Sequence, residues 1–110
     1  MATPENVIFN WTINNFLTYP TKDNFQNVVF SIIWTLEGTY TNPDNNETLT
    51  AKTNGKCQID TNNITDFIPY ENITLEMAVQ WIESVTNVQN LKQYICDSIN
   101  YPVVTLPPPF

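Results

Sequence analysis

The spacing of apolar residues changes once along this chain, and that change constrains the fold more than any other feature. Before Asp60, apolar and polar residues alternate, which is typical of β-strands with one buried face. From Thr74 onward, apolar residues recur every three or four positions, which is typical of amphipathic helices. A chain of 110 residues has the size of a single domain. The sequence therefore predicts an α+β domain in which a sheet precedes the helices.

The first two strands are predicted from segments that are rich in β-branched and aromatic residues. The first segment is VIFNWTI, with an apolar face of Val7, Phe9, Trp11 and Ile13. The second segment, residues 27–40, is predicted to be the buried central strand. Its apolar face consists of Val28, Phe30, Ile32, Trp34 and Leu36. The intervening YPTKDN is rich in turn formers, so it predicts a turn between two antiparallel strands.

A third strand region follows TNPDNNET, a dense cluster of turn-forming residues. In LTAKTNGKCQID, apolar residues alternate around Asn54-Gly55, a dipeptide that is strongly preferred in two-residue hairpin turns. Two interpretations stay open, a tight hairpin between two short strands or a bulge within one strand. Either one gives an antiparallel β-meander of about three or four strands.

Two helices are predicted in the second half of the chain. Thr74 is placed to cap the first helix, whose apolar positions are Leu75, Ala78, Val79, Ile82 and Val85. Asn87 interrupts the pattern, and the second helix has apolar positions Val88, Leu91, Ile95 and Ile99. Pro102 forbids its continuation. We therefore predict a helical hairpin that closes a domain of residues 1–101, followed by an extended Pro-rich tail of residues 102–110.

The composition argues against several classes of function. The chain has 11 acidic and 4 basic residues, a formal net charge of -7 and no histidine. Nucleic acid and anionic membranes are not expected as partners. Proteins that bind them use clusters of Lys and Arg side chains, and this chain has only 4 basic residues. The absence of histidine removes catalytic triads and the commonest transition-metal ligand. We therefore expect neither an enzyme nor a cofactor.

Two candidate chemical sites fail on inspection. The stretch DTNNITDFIPYE resembles a calcium loop in the spacing of its oxygen-bearing residues. However, Thr65 stands where such a loop needs glycine, and Ile64 stands where it needs an oxygen ligand. Cys57 and Cys96 are predicted to be two buried thiols, because the N-terminal MATPENVIFNW shows no secretion signal, although a disulfide stays open. No metal site is expected.

The three tryptophans, Trp11, Trp34 and Trp81, are predicted to anchor the core. Trp11 has an alternative. If it lies on the sheet face opposite the helices, it contributes to an exposed apolar patch, and such patches mark partner-binding surfaces.

The closing stretch YPVVTLPPPF, which contains the tail, is the most specific feature of the chain. Its three consecutive prolines favour polyproline II, a conformation that leaves the backbone unpaired. The tail either packs on the protein's own sheet or docks in a groove of a neighbouring subunit or host protein. We prefer docking, because a terminal segment is free to swing away from the domain. The predicted partner-binding residues are Val103, Val104, Leu106, Pro107, Pro108, Pro109 and Phe110, with Phe110 as anchor.

Four segments in fixed order carry a family resemblance. They are N-W-T-I, V-V-F-x-I-x-W-T-L-x-G, F-x-P-Y-E and P-V-V-T-L-P-P-P-F, and together they extend over nearly the whole chain. This arrangement resembles a family of short uncharacterised proteins of marine cyanobacterial tailed phages. The chain departs from the family pattern at Tyr101, where a further proline is common, and at Phe110, where tryptophan is common.

The resemblance implies a bacteriophage context for a non-enzymatic structural protein. In that context we expect an accessory virion subunit, either a head decoration or a tail-associated protein. Its partners would be other virion proteins or further copies of itself, and its localisation the virion, after assembly in the host cytoplasm. The alternative is a phage-encoded regulator that binds a host protein during infection.

Overall fold

A computed structural model describes residues 1–61, 67–102 and 104–110 of the chain. Its elements in chain order are strands β1 (Ile8–Lys22), β2 (Phe25–Thr41) and β3 (Thr48–Gln58), a short 3-10 turn (Tyr70–Asn72), and helices α1 (Leu75–Val85) and α2 (Val88–Asn100). The strands form one antiparallel sheet in the order β1-β2-β3. The predicted α+β fold, a meander followed by a helical hairpin, is confirmed.

The hairpin of β1 and β2 is longer than predicted and turns within two residues. Asp23 and Asn24 connect the strands with φ angles of 52° and 71°. Two successive residues with positive φ characterise the type I′ turn, and Asp and Asn tolerate that conformation better than most residues. Only the last two residues of YPTKDN therefore form the turn. Pro20 is accommodated inside β1 because β1 is an edge strand.

The interpretation of Asn54-Gly55 was wrong in both of its forms. β3 runs through this dipeptide without interruption, and its pairing with β2 stays in register, with Gly55 opposite Trp34. A Cβ atom at position 55 would lie 2.7 Å from Cζ2 of Trp34. The glycine therefore leaves room for the indole ring on the neighbouring strand, and the described part of the sheet has three strands.

Two β-bulges interrupt the pairing of β1 with β2. The register shifts after Ile13, so that Asn14 lies opposite no residue of β2. A second shift leaves Phe30 as the extra residue on β2. On the N-terminal side of this bulge, Val29 belongs to the core cluster, whereas Val28 is buried but does not belong to it. The predicted apolar face of the central strand is thus correct from Ile32 onward and wrong before it.

The core lies between the sheet and the two helices. Its buried residues include Ile32, Trp34 and Leu36 from β2, and Ala78, Ile82, Ile95, Cys96 and Ile99 from the helices. Close packing of α2 on the sheet depends on Gly38, where a Cβ atom would lie 2.6 Å from Cγ2 of Ile95. Trp34 is 4% exposed, which confirms its predicted place in the core. Trp11 and Trp81 are partly buried and pack against the same cluster.

Side-chain caps define where both helices begin. The Thr74 side chain accepts a hydrogen bond from the Met77 backbone N–H at 3.2 Å, and Asn87 does the same for the N–H of Asn90, also at 3.2 Å. After α2, the N–H of Tyr101 donates to the Asp97 carbonyl before Pro102 ends the helix. Across the described ranges, no helix combines the length and hydropathy needed to cross a membrane.

Candidate interaction surface

The described residues of the tail expose their apolar side chains. Val104 is 75%, Leu106 77% and Phe110 105% exposed. Prolines 107–109 are exposed as well. Val103, which the sequence places in the same predicted binding segment, lies outside the described residues. Of the two interpretations of the tail, packing on the protein's own sheet finds no support in the described residues, and docking on a partner stays a prediction.

A groove of about 370 Å³ lies beside β1, and we call it the β1 groove. Its lining consists of Trp11, Thr12, Ile13, Phe16, Ile73, Thr74 and Leu75. Successive residues of a strand point to opposite faces of the sheet. Trp11, Thr12 and Ile13 can therefore line the same groove only where the groove lies at the free edge of the sheet. The opposite wall is the segment that leads into α1. The groove therefore runs along the outer edge of the sheet.

The bulge at Asn14 brings the aromatic residues of the β1 groove to one side. Strict alternation would place Asn15 on the face of Trp11 and Ile13, but the extra residue places Phe16 there instead. The Asn14 side chain itself donates a hydrogen bond to Oγ1 of Thr35 at 2.8 Å on the other face. No local sequence pattern indicates the bulge, so the groove is not predictable from the sequence.

Aromatic contacts hold the two rings of the β1 wall of the groove in place. The rings of Trp11 and Trp34 meet edge to face, with centroids 5.4 Å apart, and the rings of Phe16 and Tyr70 do so at 5.9 Å. Trp11 thus lies on the side of the sheet that carries the core. The alternative that placed Trp11 opposite the helices is wrong, although part of its ring still reaches the groove.

The β1 groove is uncharged, and its lining combines aromatic and aliphatic side chains with Thr12 and Thr74. Leu75, predicted to face the core, is instead 57% exposed at the mouth of the groove. None of the described residues that line the groove carries a charge, whereas the whole chain has a net charge of -7. Such a surface suits an uncharged segment with apolar side chains better than an ion.

The middle of the other sheet face is polar. Asn10, Glu37 and Lys52 stand opposite one another on the three strands, and they line a shallow depression together with Thr12, Asn14 and Thr35. Carboxylate, ammonium, amide and hydroxyl groups alternate there. This composition is typical of the solvent-facing side of an antiparallel sheet with one covered face.

The thiols are not arranged for catalysis. Cys57 and Cys96 are free and buried, as predicted. Burial raises the pKa of both thiols, and the negative charges of Asp97 and Glu5 raise that of Cys96 further. Both thiols therefore stay protonated and weakly nucleophilic near neutral pH. The described residues contain no cluster of three or more His, Cys, Asp or Glu side chains that could hold a metal ion.

Ile64 and Thr65, the two residues that decide the calcium-loop comparison, lie outside the described residues, so the structure does not test it. A family model described as "Domain of unknown function (DUF7936)" matches residues 6–110. No curated protein and no solved structure matches the chain. The matched range contains the sheet, both helices, the β1 groove and the tail, so the two candidate binding elements belong to one domain type.

Proposed function

The chain belongs to the DUF7936 family, and we propose that it is a non-enzymatic interaction protein, an accessory subunit of a bacteriophage particle. It docks on neighbouring particle proteins through its tail. The phage context comes from the resemblance carried by the four sequence segments. The observation that supports docking is the exposure of Val104, Leu106 and Phe110.

The tail is suited to docking by its stiffness and its apolar side chains. Prolines 107–109 restrict the backbone before a partner is bound, so little conformational entropy is lost on binding. Burial of three large apolar side chains contributes roughly 1.5–3 kcal/mol each before the costs of association. One tail therefore gives a weak contact, and many tails in a particle give a stable one by multivalency.

The charge distribution supports the same role. Residues 101–110 contain no charged side chain, in a chain whose formal net charge is -7. Acidic domains repel one another at close range, and an uncharged segment allows contact where repulsion between subunits is weakest. The tail is thus one part of the chain whose side chains can approach another acidic protein without charge repulsion.

The test is the composition of purified phage particles. Mass spectrometry is expected to find the wild-type chain in tens of copies per particle or more. A variant that lacks residues 102–110 should be missing from particles, while its melting temperature stays close to that of the wild type. The control is Val85→Ser, because Val85 is also apolar and exposed but lies at the end of α1.

Two results would contradict the proposal. If the wild-type chain is absent from particles, the virion role is wrong and the alternative function, a phage-encoded regulator that binds a host protein, is favoured. If the truncated chain is incorporated normally, the tail is not the docking element.

A further inference from the structure

We propose that the β1 groove is the receptor for the tail of a second copy of this chain. The inference rests on the proposed function in that it takes the tail as the docking segment. It adds the site on which the tail docks and makes the chain its own partner.

The groove matches the tail in chemistry and size. Pro-rich segments bind grooves lined by aromatic side chains, and the β1 groove presents Trp11 and Phe16. Leu106 and Phe110 are the tail residues that such a groove would bury. The volume of about 370 Å³ lies at the low end of ligand pockets, which span roughly 300–1,000 Å³. It therefore accommodates a few side chains and leaves the rest of the tail on the surface.

The backbone beside the groove supplies a second kind of contact. β1 pairs only with β2 among the described strands, so its outer N–H and C=O groups face away from the sheet. Residues 104–106 contain no proline and can add to such an edge as a short strand. The outer edge of β3 differs from the part of β1 beside the groove, because it carries Lys52 and Lys56, and charged edge strands discourage pairing.

Charge favours a second copy as the occupant. Neither the groove lining nor the tail has a charged side chain, although they belong to a strongly acidic chain. Two copies can thus meet at these surfaces without bringing carboxylate side chains into contact. The described tail residues are exposed, so a copy does not fill its own groove, and both the groove and the tail remain open to other copies.

The resulting assembly has a defined symmetry class. A contact between the tail of one copy and the groove of the next is heterologous, and the resulting pair keeps one free groove and one free tail. Such contacts produce rings when the rotation closes and open chains when it does not. Either form allows one small protein to occupy many adjacent positions in a particle.

The experiment is sedimentation velocity of the full-length chain over a concentration series that extends to about 1 mM, where weak contacts are populated. Wild type is expected to form oligomers whose mass rises with concentration. Leu75→Glu in the groove, or the pair Leu106→Ser and Phe110→Ser in the tail, should raise the dissociation constant at least tenfold. Val85→Glu is the matched control, because Leu75 and Val85 lie at opposite ends of α1 and are 57% and 56% exposed. It should change the constant less than twofold.

Complementation tests the pairing directly. A mixture of Leu75→Glu with the tail variant contains one intact tail and one intact groove, so it should form heterodimers that grow no further. Each variant alone should stay monomeric, with wild-type circular dichroism. Each of three results would overturn the inference. The wild type stays monomeric at all concentrations, the groove and tail substitutions leave its oligomers unchanged, or the mixture forms no heterodimers.

The outcomes separate this inference from the proposed function. If tail variants are lost from particles but the wild type does not self-associate, the tail docks on a different protein and the groove assignment fails. If self-association follows the groove and tail substitutions but tail variants still enter particles, the groove assignment stands and the docking role in the particle fails.

Discussion

Apolar side chains occupy two regions of this molecule in opposite ways. In the core, Trp34 is 4% exposed and Ile82 is fully buried, whereas in the tail Leu106 and Phe110 face solvent. The first group completes its burial when the chain folds, and the second can complete it only on association. Substitutions of similar chemistry should therefore change stability in one region and binding in the other.

The largest effect on stability is expected in the core. Trp34→Ala should lower the free energy of unfolding by about 3–5 kcal/mol, because it leaves a large cavity between the sheet and the helices. Denaturant unfolding followed by circular dichroism measures it. The Nε1–H of Trp34 is buried without a hydrogen-bond partner in the described structure, so Trp34→Phe should cost less than Trp34→Ala. A Trp34→Ala protein that melts within a few degrees of wild type would show that Trp34 does not stabilise the core.

An intermediate effect is expected where β3 packs against the same tryptophan. Gly55→Ala should cost about 1–3 kcal/mol, since its new methyl group overlaps the indole ring. The neighbouring Asn54 is exposed, and Asn54→Ala should stay within about 0.5 kcal/mol of wild type. Equal melting temperatures for the two variants would show that the ring shifts freely and that the core is looser than its geometry implies.

The smallest effect on stability belongs to the tail. Leu106→Ser combined with Phe110→Ser should change the free energy of unfolding by less than about 0.5 kcal/mol, because both side chains are exposed in the free protein. Differential scanning calorimetry provides the measurement. A loss as large as that expected for Gly55→Ala would mean that the tail contributes to the core, and the distinction between the two regions would disappear.

Much of the fold was predictable because its signals are local. The change in periodicity, the caps Thr74 and Asn87 and the stop at Pro102 each depend on a few neighbouring residues. The dipeptide Asn54-Gly55 misled because its glycine serves a contact with another strand. The hairpin propensity of Asn-Gly shows that the dipeptide can form a turn. In this chain, packing against the neighbouring strand places it inside β3 instead.

The candidate binding surfaces divide in the same way. The tail was recognisable from its prolines and apolar residues alone. The β1 groove was not, because it combines a bulge at Asn14 with Ile73 and Leu75 from a distant part of the chain. Leu75 also occupies a position that fits the apolar face of a helix, so its exposure becomes visible only when the helix is placed on the sheet.

The two bulges of the hairpin determine where related chains can gain or lose a residue during evolution. Asn14 and Phe30 are extra residues, and the pairs before and after both of them, Ile8 with Thr39 and Lys22 with Phe25, belong to one register. Loss of either codon would leave every other pairing of the hairpin unchanged, whereas loss of a codon elsewhere in β1 or β2 would turn the following side chains to the other face. Gaps between related sequences should therefore fall at these two positions inside strands, where insertions and deletions are ordinarily rare.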